Sequence, residues 1–213
     1  MRKLVFLVVL MASASSVLAQ RRTQENNGIG IMFGANQANL ETANFEVNPE
    51  LGWNLGLQVR GGIYNDFYMV YSIQFNENNF SVPTINGALQ PEEVKYKLAG
   101  GQISLQLSYS IIDTHLSVEA GPVFQFNGKM KVSEAKEGNS IKGTDLKVGD
   151  IVDVNPFNFH AAVGFTAGVK HVRLSVQYLY GISNVLKRLN EQNAGYEFEG
   201  RLGILSGNVV VFL

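Results

Sequence analysis

The sequence predicts an all-β chain, an eight-stranded antiparallel up-and-down transmembrane β-barrel, from three observations. Apolar and polar residues alternate with a strict period of two in segment after segment, connections alternate between short and long, and only 16% of the 213 residues are charged. Soluble domains carry about 25% charged residues. The 22 glycines and the abundant Asn, Gln and Ser supply most of the polarity.

Met1 to Ala19 reads as a cleavable secretory signal: Arg2 and Lys3, the apolar run Leu4 to Ala12, then small residues up to Ala19 before Gln20. A membrane-spanning helix needs about 20 apolar residues, and this run is too short. Residues 20–27 are then a periplasmic N-terminal tail, and residues 28–213 form the barrel.

The first strand, Ile29 to Ala35, is short and glycine-rich. The second runs Leu51 to Arg60, with Leu51, Trp53, Leu55, Leu57 and Val59 on one face and Gly52, Asn54, Gly56, Gln58 and Arg60 on the other. Phe67 to Asn76, Gln102 to Tyr109, Leu116 to Phe126, Phe157 to Val169 and Val172 to Tyr180 repeat the pattern. An eighth strand lies between about Gly200 and Leu213. Its phase is ambiguous, because Val209, Val210 and Val211 occupy both parities, and a bulge near Gly207 would reconcile them. An even number of strands closes antiparallel and leaves no edge.

Short connections at Gly62 to Asp66, Ile111 to Thr114 and Lys170 to His171 contrast with long ones at Gln37 to Glu50, Asn79 to Tyr96, Gly128 to Pro156 and Ile182 to Glu197. Short turns at one end and long loops at the other mark an outer-membrane barrel. The composition of the polar face decides which side is inside. Across the seven clear strands it carries only Arg60, Glu119 and Arg173 as charges, which suits a narrow hydrogen-bonded lumen better than a solvated surface. The apolar face therefore meets lipid, with an aromatic belt of Trp53, Phe67, Phe126, Phe157, Tyr178 and Tyr180 toward the strand ends. A soluble lipocalin-like barrel is the competing reading.

Charges inside so narrow a barrel need partners, so Arg60, Glu119 and Arg173 are expected to form an internal ion network. No catalytic, metal or cofactor site is expected. His115, His160 and His171 fall on separate strands or turns, and no nucleophile elbow, P-loop or dinucleotide fingerprint occurs. The absence of cysteine removes disulfides, thiolate metal sites and thiol nucleophiles. A formal charge of −1 without a basic stripe argues against nucleic acid. The third long loop, 128–156, balances its lysines against acids and reads as a solvated hairpin; Asp145, Asp150 and Asp153 fit no EF-hand spacing. In the fourth, 182–197, Ile182, Val185, Leu186 and Leu189 keep a helical period, with Ser183 as N-cap. That amphipathic turn either covers the barrel mouth or docks a partner.

Gly30-Ile31-Met32-Phe33-Gly34-Ala35-Asn36, Glu119-Ala120-Gly121-Pro122-Val123, the segment Phe159 to Val169, and Tyr178-Leu179-Tyr180-Gly181-Ile182-Ser183-Asn184 together resemble the PorT-like outer-membrane β-barrel family of Gram-negative bacteria. Their order and spacing hold across nearly all the chain beyond the leader. One departure is Ala99-Gly100-Gly101, where the family often has a proline. The resemblance implies an integral outer-membrane barrel. The family's namesake is associated with type IX secretion, a role that no residue here carries over. The expected function is structural, adhesive or surface-interacting, in contact with outer-membrane lipid and with envelope proteins through loops 128–156 and 182–197. The alternatives are a secretion-assembly component and a surface lipid- or peptide-hydrolysing enzyme. A general porin is not expected, because side chains fill a lumen this narrow.

Overall fold

In the computed structural model the described residues are 28–113, 115–192 and 197–213. The expected signal, 1–19, and the expected tail, 20–27, lie outside them. Eight long strands form the ring: β1 (Gly28–Thr42), β2 (Asn48–Tyr64), β3 (Phe67–Ile85), β4 (Pro91–Ile112), β5 (Leu116–Asn127), β7 (Phe157–Gly168), β8 (Val172–Gly181) and β9 (Gly200–Phe212). A two-residue strand, β6 (Ser140–Ile141), adds to the outer end of β3. Each barrel strand pairs antiparallel with the next. β9 closes on β1 in unbroken register from Gly30↔Phe212 to Thr42↔Gly200.

Alternation fixes the facing. Inward positions hold Gln58, Ser72, Gln102, Ser104, Gln106, Gln125, Asn158, Thr166 and Ser175, all buried, while outward positions hold exposed Ile, Leu, Val, Phe and Tyr. Inward glycines permit the tight curl of so few strands. At Gly164 a Cβ would sit 2.3 Å from the Val176 carbonyl oxygen, so a side chain there would push β7 off β8.

Three expectations need correction. The last strand carries no bulge near Gly207: even positions point inward throughout, so Val210 and Phe212 are buried with Met32 at the base while Val211 faces out. The two long connections on either side of β2 and β3 are mostly strand, since β1 runs to Thr42, β2 starts at Asn48, and only residues 86–90 separate β3 from β4. Parity continues through these extensions, but the apolar residues move to the inner face, as at Phe80 and Val82 or Val94, Tyr96 and Leu98. A search for outward apolar residues stops where that switch occurs. Finally, loop 128–156 is not a solvated hairpin: Met130, Ile141, Leu146, Val148, Ile151 and Val154 are buried in the cluster that fills the barrel mouth.

Candidate functional site

Three storeys stack along the barrel axis. At the short-turn end, β2 brings Arg60, β5 brings Ser117 and Glu119, and β8 brings Arg173 to one level. Arg60 Nη1 donates to Glu119 Oε1 at 2.9 Å, and both side chains are almost fully buried. Arg60 Nη2 donates to Ser117 Oγ at 3.1 Å, and Arg173 Nη2 reaches the same oxygen at 3.4 Å. The Arg60 guanidinium carbon lies 4.4 Å from the centre of the Tyr68 ring, a cation–π distance. Gln177 Nε2 donates to the other carboxylate oxygen of Glu119 at 3.2 Å. The structure thus gathers all three charges named from the sequence around one serine. It adds Ser117, Tyr68 and Gln177, which alternation alone does not distinguish from other inward residues.

Amides and hydroxyls fill the middle storey. Gln106 and Gln177 bond each other, Gln102 donates to Gln125 at 3.1 Å, Ser72 and Ser104 lie 2.6 Å apart, and Asn54 donates to Ser206 at 2.8 Å. Gln74 also bonds Gln102. A cavity of about 20 Å³ remains between Gln58, Ser72, Gln106, Ser175 and Ser206, room for about one water molecule.

The top storey is apolar. Ala38, Leu40, Phe80, Val82, Val94, Tyr96, Leu98, Leu202 and Ile204 from the strand extensions pack against the loop residues Met130, Val148, Ile151, Val185, Leu186, Leu189 and Phe198. The fourth loop turns into the short helix α1 (Leu189–Gln192) and lays Val185, Leu186 and Leu189 on the mouth, leaving Ile182 exposed. Of the two roles open to this turn, covering the mouth is the one its buried residues perform. Ser183 does not cap it: Ser183 Oγ accepts from the Phe159 amide and donates to Asn158, while Asn184 Oδ1 accepts the Leu186 and Gly200 amides. Tyr96 donates to the Val148 carbonyl at 3.1 Å, and burial, with Asp150 nearby, pushes its phenol well above the usual range.

Two of the three aspartates of loop 128–156 have partners within the protein. Asp150 Oδ2 accepts the Lys147 amide, Asp153 lies 3.4 Å from Arg188 and 3.9 Å from Lys129, and Asp145 is exposed. His160 is buried in the lumen, whereas His115 and His171 are exposed at the short-turn end.

Outside, Trp53, Phe126, Phe157, Tyr178 and Tyr180 face outward toward the long-loop end, with Phe126 5.5 Å from Phe157. Phe67 lies at the opposite end, 5.0 Å from Tyr109. On β4 the outward row from Ile111 up to Gly101 spans roughly 25 Å at about 3.3 Å per residue and about 40° tilt, the height of a lipid-facing band. The fold is similar to the crystal structure of Neisserial surface protein A, at 15% identity and a TM-score of 0.50, over 87% of this chain and 97% of that one. The chain folds as an eight-stranded antiparallel up-and-down β-barrel. A second similar structure is Ail, the attachment invasion locus protein of Yersinia pestis, in complex with the heparin analogue sucrose octasulfate. It shares 11% identity at a TM-score of 0.49, over 88% of this chain and 99% of that chain. No protein-family model and no curated protein sequence matches the barrel.

Proposed function

We propose that this barrel is a non-enzymatic surface protein of the Gram-negative outer membrane, exported by residues 1–19, whose role is structural, adhesive or surface-interacting. The observation that carries this reading is the double closure of its interior. The cavity among the polar side chains of the lumen holds about 20 Å³, and the apolar cluster packs across the mouth, an arrangement that does not suit a wide aqueous channel. What the barrel offers its surroundings is its folded head. At the apex, Leu89 is 85% exposed and sits at φ 60, a left-handed backbone that a leucine adopts only at a cost. An exposed apolar side chain held in that conformation suits contact with a partner. Ser183 bonds to Asn158 and the Phe159 amide, not to a histidine, which supports leaving hydrolysis out of the role.

The finer, PorT-like assignment, with a place in a secretion assembly, rests on the four sequence segments quoted above. Two experiments test the two levels. The purified barrel in planar bilayers should show no steady conductance, and cross-linking in cells from a reactive group at position 89 should capture an envelope or surface protein. Steady large conductance overturns the closed-barrel reading. Capture of secretion components selects the assembly role over the adhesive one.

A further inference from the structure

We infer that Lys97 and Lys131 form a binding site for the phosphate of an outer-leaflet lipid headgroup, an inference that rests on the membrane-embedded reading above. The two residues exchange both backbone hydrogen bonds, Lys97 N to Lys131 O at 3.0 Å and Lys131 N to Lys97 O at 2.8 Å, so they are a directly opposed antiparallel pair. Opposed residues of this kind hold their Cα atoms about 5.5 Å apart with side chains on the same face. Both side chains are exposed. Like charges placed this way repel and destabilise the pairing unless an anion sits between them.

The neighbouring cations are already engaged: Lys95 pairs with Glu50 at 3.1 Å, and Lys129 lies 3.9 Å from Asp153. Among the described residues no carboxylate comes within 4 Å of the Lys97 or Lys131 ammonium, so this pair, unlike Lys95 and Lys129 beside it, is open to an external anion.

Height above the membrane identifies the anion. Phe126 pairs with Gly101 at the upper limit of the apolar band, and Lys97 lies roughly 10 Å further along the tilted β4. Headgroups add several Å beyond the hydrocarbon on each side, and a lysine stem can lie along the barrel wall to bring its ammonium down to them. At comparable height β1, β2 and β3 carry Glu41, Glu50 and Glu77, and Arg201, which faces Glu41 from β9, is held by Glu199 at 3.2 Å, whereas Lys97 and Lys131 have no carboxylate so close. A phosphorylated lipid is therefore drawn to one sector of the wall.

The test reconstitutes the full barrel in micelles and measures retained lipid by native mass spectrometry. The probes are a phosphorylated lipid A and the same glycolipid with its phosphates removed. Each is offered to the parent, to a Lys97→Gln/Lys131→Gln variant and to a control Lys170→Gln/Lys187→Gln variant, with inorganic phosphate as competitor. Two charges at about 1 kcal/mol each predict roughly thirtyfold weaker retention of the phosphorylated lipid by the first variant. No change is expected in the control variant or with the dephosphorylated lipid. Equal retention by the parent and the Lys97/Lys131 variant, with both folded by far-UV circular dichroism and heat-dependent gel mobility, overturns the site and leaves the barrel reading intact. Full displacement by inorganic phosphate at matched concentration overturns the lipid as ligand. Failure of the parent to enter micelles at all overturns the membrane reading and the site together.

Discussion

Within the membrane band and above it, the same strands keep the same parity and reverse their chemistry. On β4, Gln102, Ser104, Gln106 and Ser108 point inward below while Leu105 and Leu107 point out; above, Val94, Tyr96 and Leu98 point inward while Glu93, Lys95 and Lys97 point out. β3 does the same, passing from inward Ser72 and Asn76 to inward Phe80 and Val82. The surrounding solvent is what changes. In hydrocarbon the outer face must be apolar, and polar groups can hide only in the lumen, where they must bond one another. In water the usual arrangement returns and apolar side chains gather inside. The lower half is therefore held by directional hydrogen bonds and one buried ion pair, the upper half by packing.

Removal of one key group from each half tests that contrast. Glu119→Ala leaves Arg60 buried without its carboxylate and takes away one of the two acceptors of Gln177, and should cost about 3–5 kcal/mol, seen as a lower urea midpoint followed through Trp53 fluorescence. An unchanged midpoint would remove the ion network from the account of stability. Leu186→Ala in the head, at 0% exposure, should cost about 2–5 kcal/mol through the cavity it leaves. That loss should appear first as faster proteolysis of loops 128–156 and 182–197 with the barrel still intact. If Leu186→Ala instead unfolds barrel and head together, the two halves are one cooperative unit. Leu105→Lys, at mid-band on β4, should cost about 2–4 kcal/mol in lipid. Lys already occupies positions 95 and 97 of the same strand and face, above the band.

Much of this was legible in the chain because the period of two survives any change of solvent. It marks the strands, and the scarcity of charge on the polar face says which side is lumen. Arg60, Glu119 and Arg173 could be named for the same reason: three charges stand out among amides. Ser117 and Tyr68 could not, since a serine in a row of serines carries no signal and Tyr68 looks like one more aromatic residue on a strand. The head was misread as loop because its apolar residues sit on the opposite parity from those in the band, and because Lys, Glu and Asp between residues 128 and 156 suggested full solvation. Burial of Met130, Val148 and Ile151 beneath those charges depends on contacts with β1, β4 and β9 that local spacing does not encode. The bulge expected at Gly207 failed for a related reason, since inward Val210 and Phe212 seal the base with Met32 where the row would otherwise be polar.

Alkaline pH separates the halves without mutation. The Tyr96 phenol is raised above its unfolded value by burial, so its contribution to stability is complete below about pH 10, the unfolded phenol's range, and is lost as pH rises further. Protection of amides in the head, with the intrinsic hydroxide-catalysed exchange rate divided out, should therefore fall above that pH, while protection of the lumen strands near Gln106 and Ser108 should not change. Tyr96→Phe should flatten the head's response; a pH dependence that persists in this variant would assign the titration to another group.

The smallest effect concerns the apex, and it separates fold from function. Leu89 adopts φ 60 in the turn between β3 and β4, where its amide donates to Asn86 O at 2.9 Å and Asn86 Oδ1 accepts the amides of Ala88 and Gln90. Those bonds hold the turn whatever side chain stands at position 89. Leu89→Gly relieves the left-handed strain of about 1–2 kcal/mol, offset by the greater freedom of glycine in the unfolded chain. The net gain should be below about 1 kcal/mol, measured as a slightly higher unfolding midpoint. If the leucine is kept for contact, that more stable variant should lose surface association in cells. Unimpaired association would move the interaction away from the apex, to the flank of the head around loop 128–156.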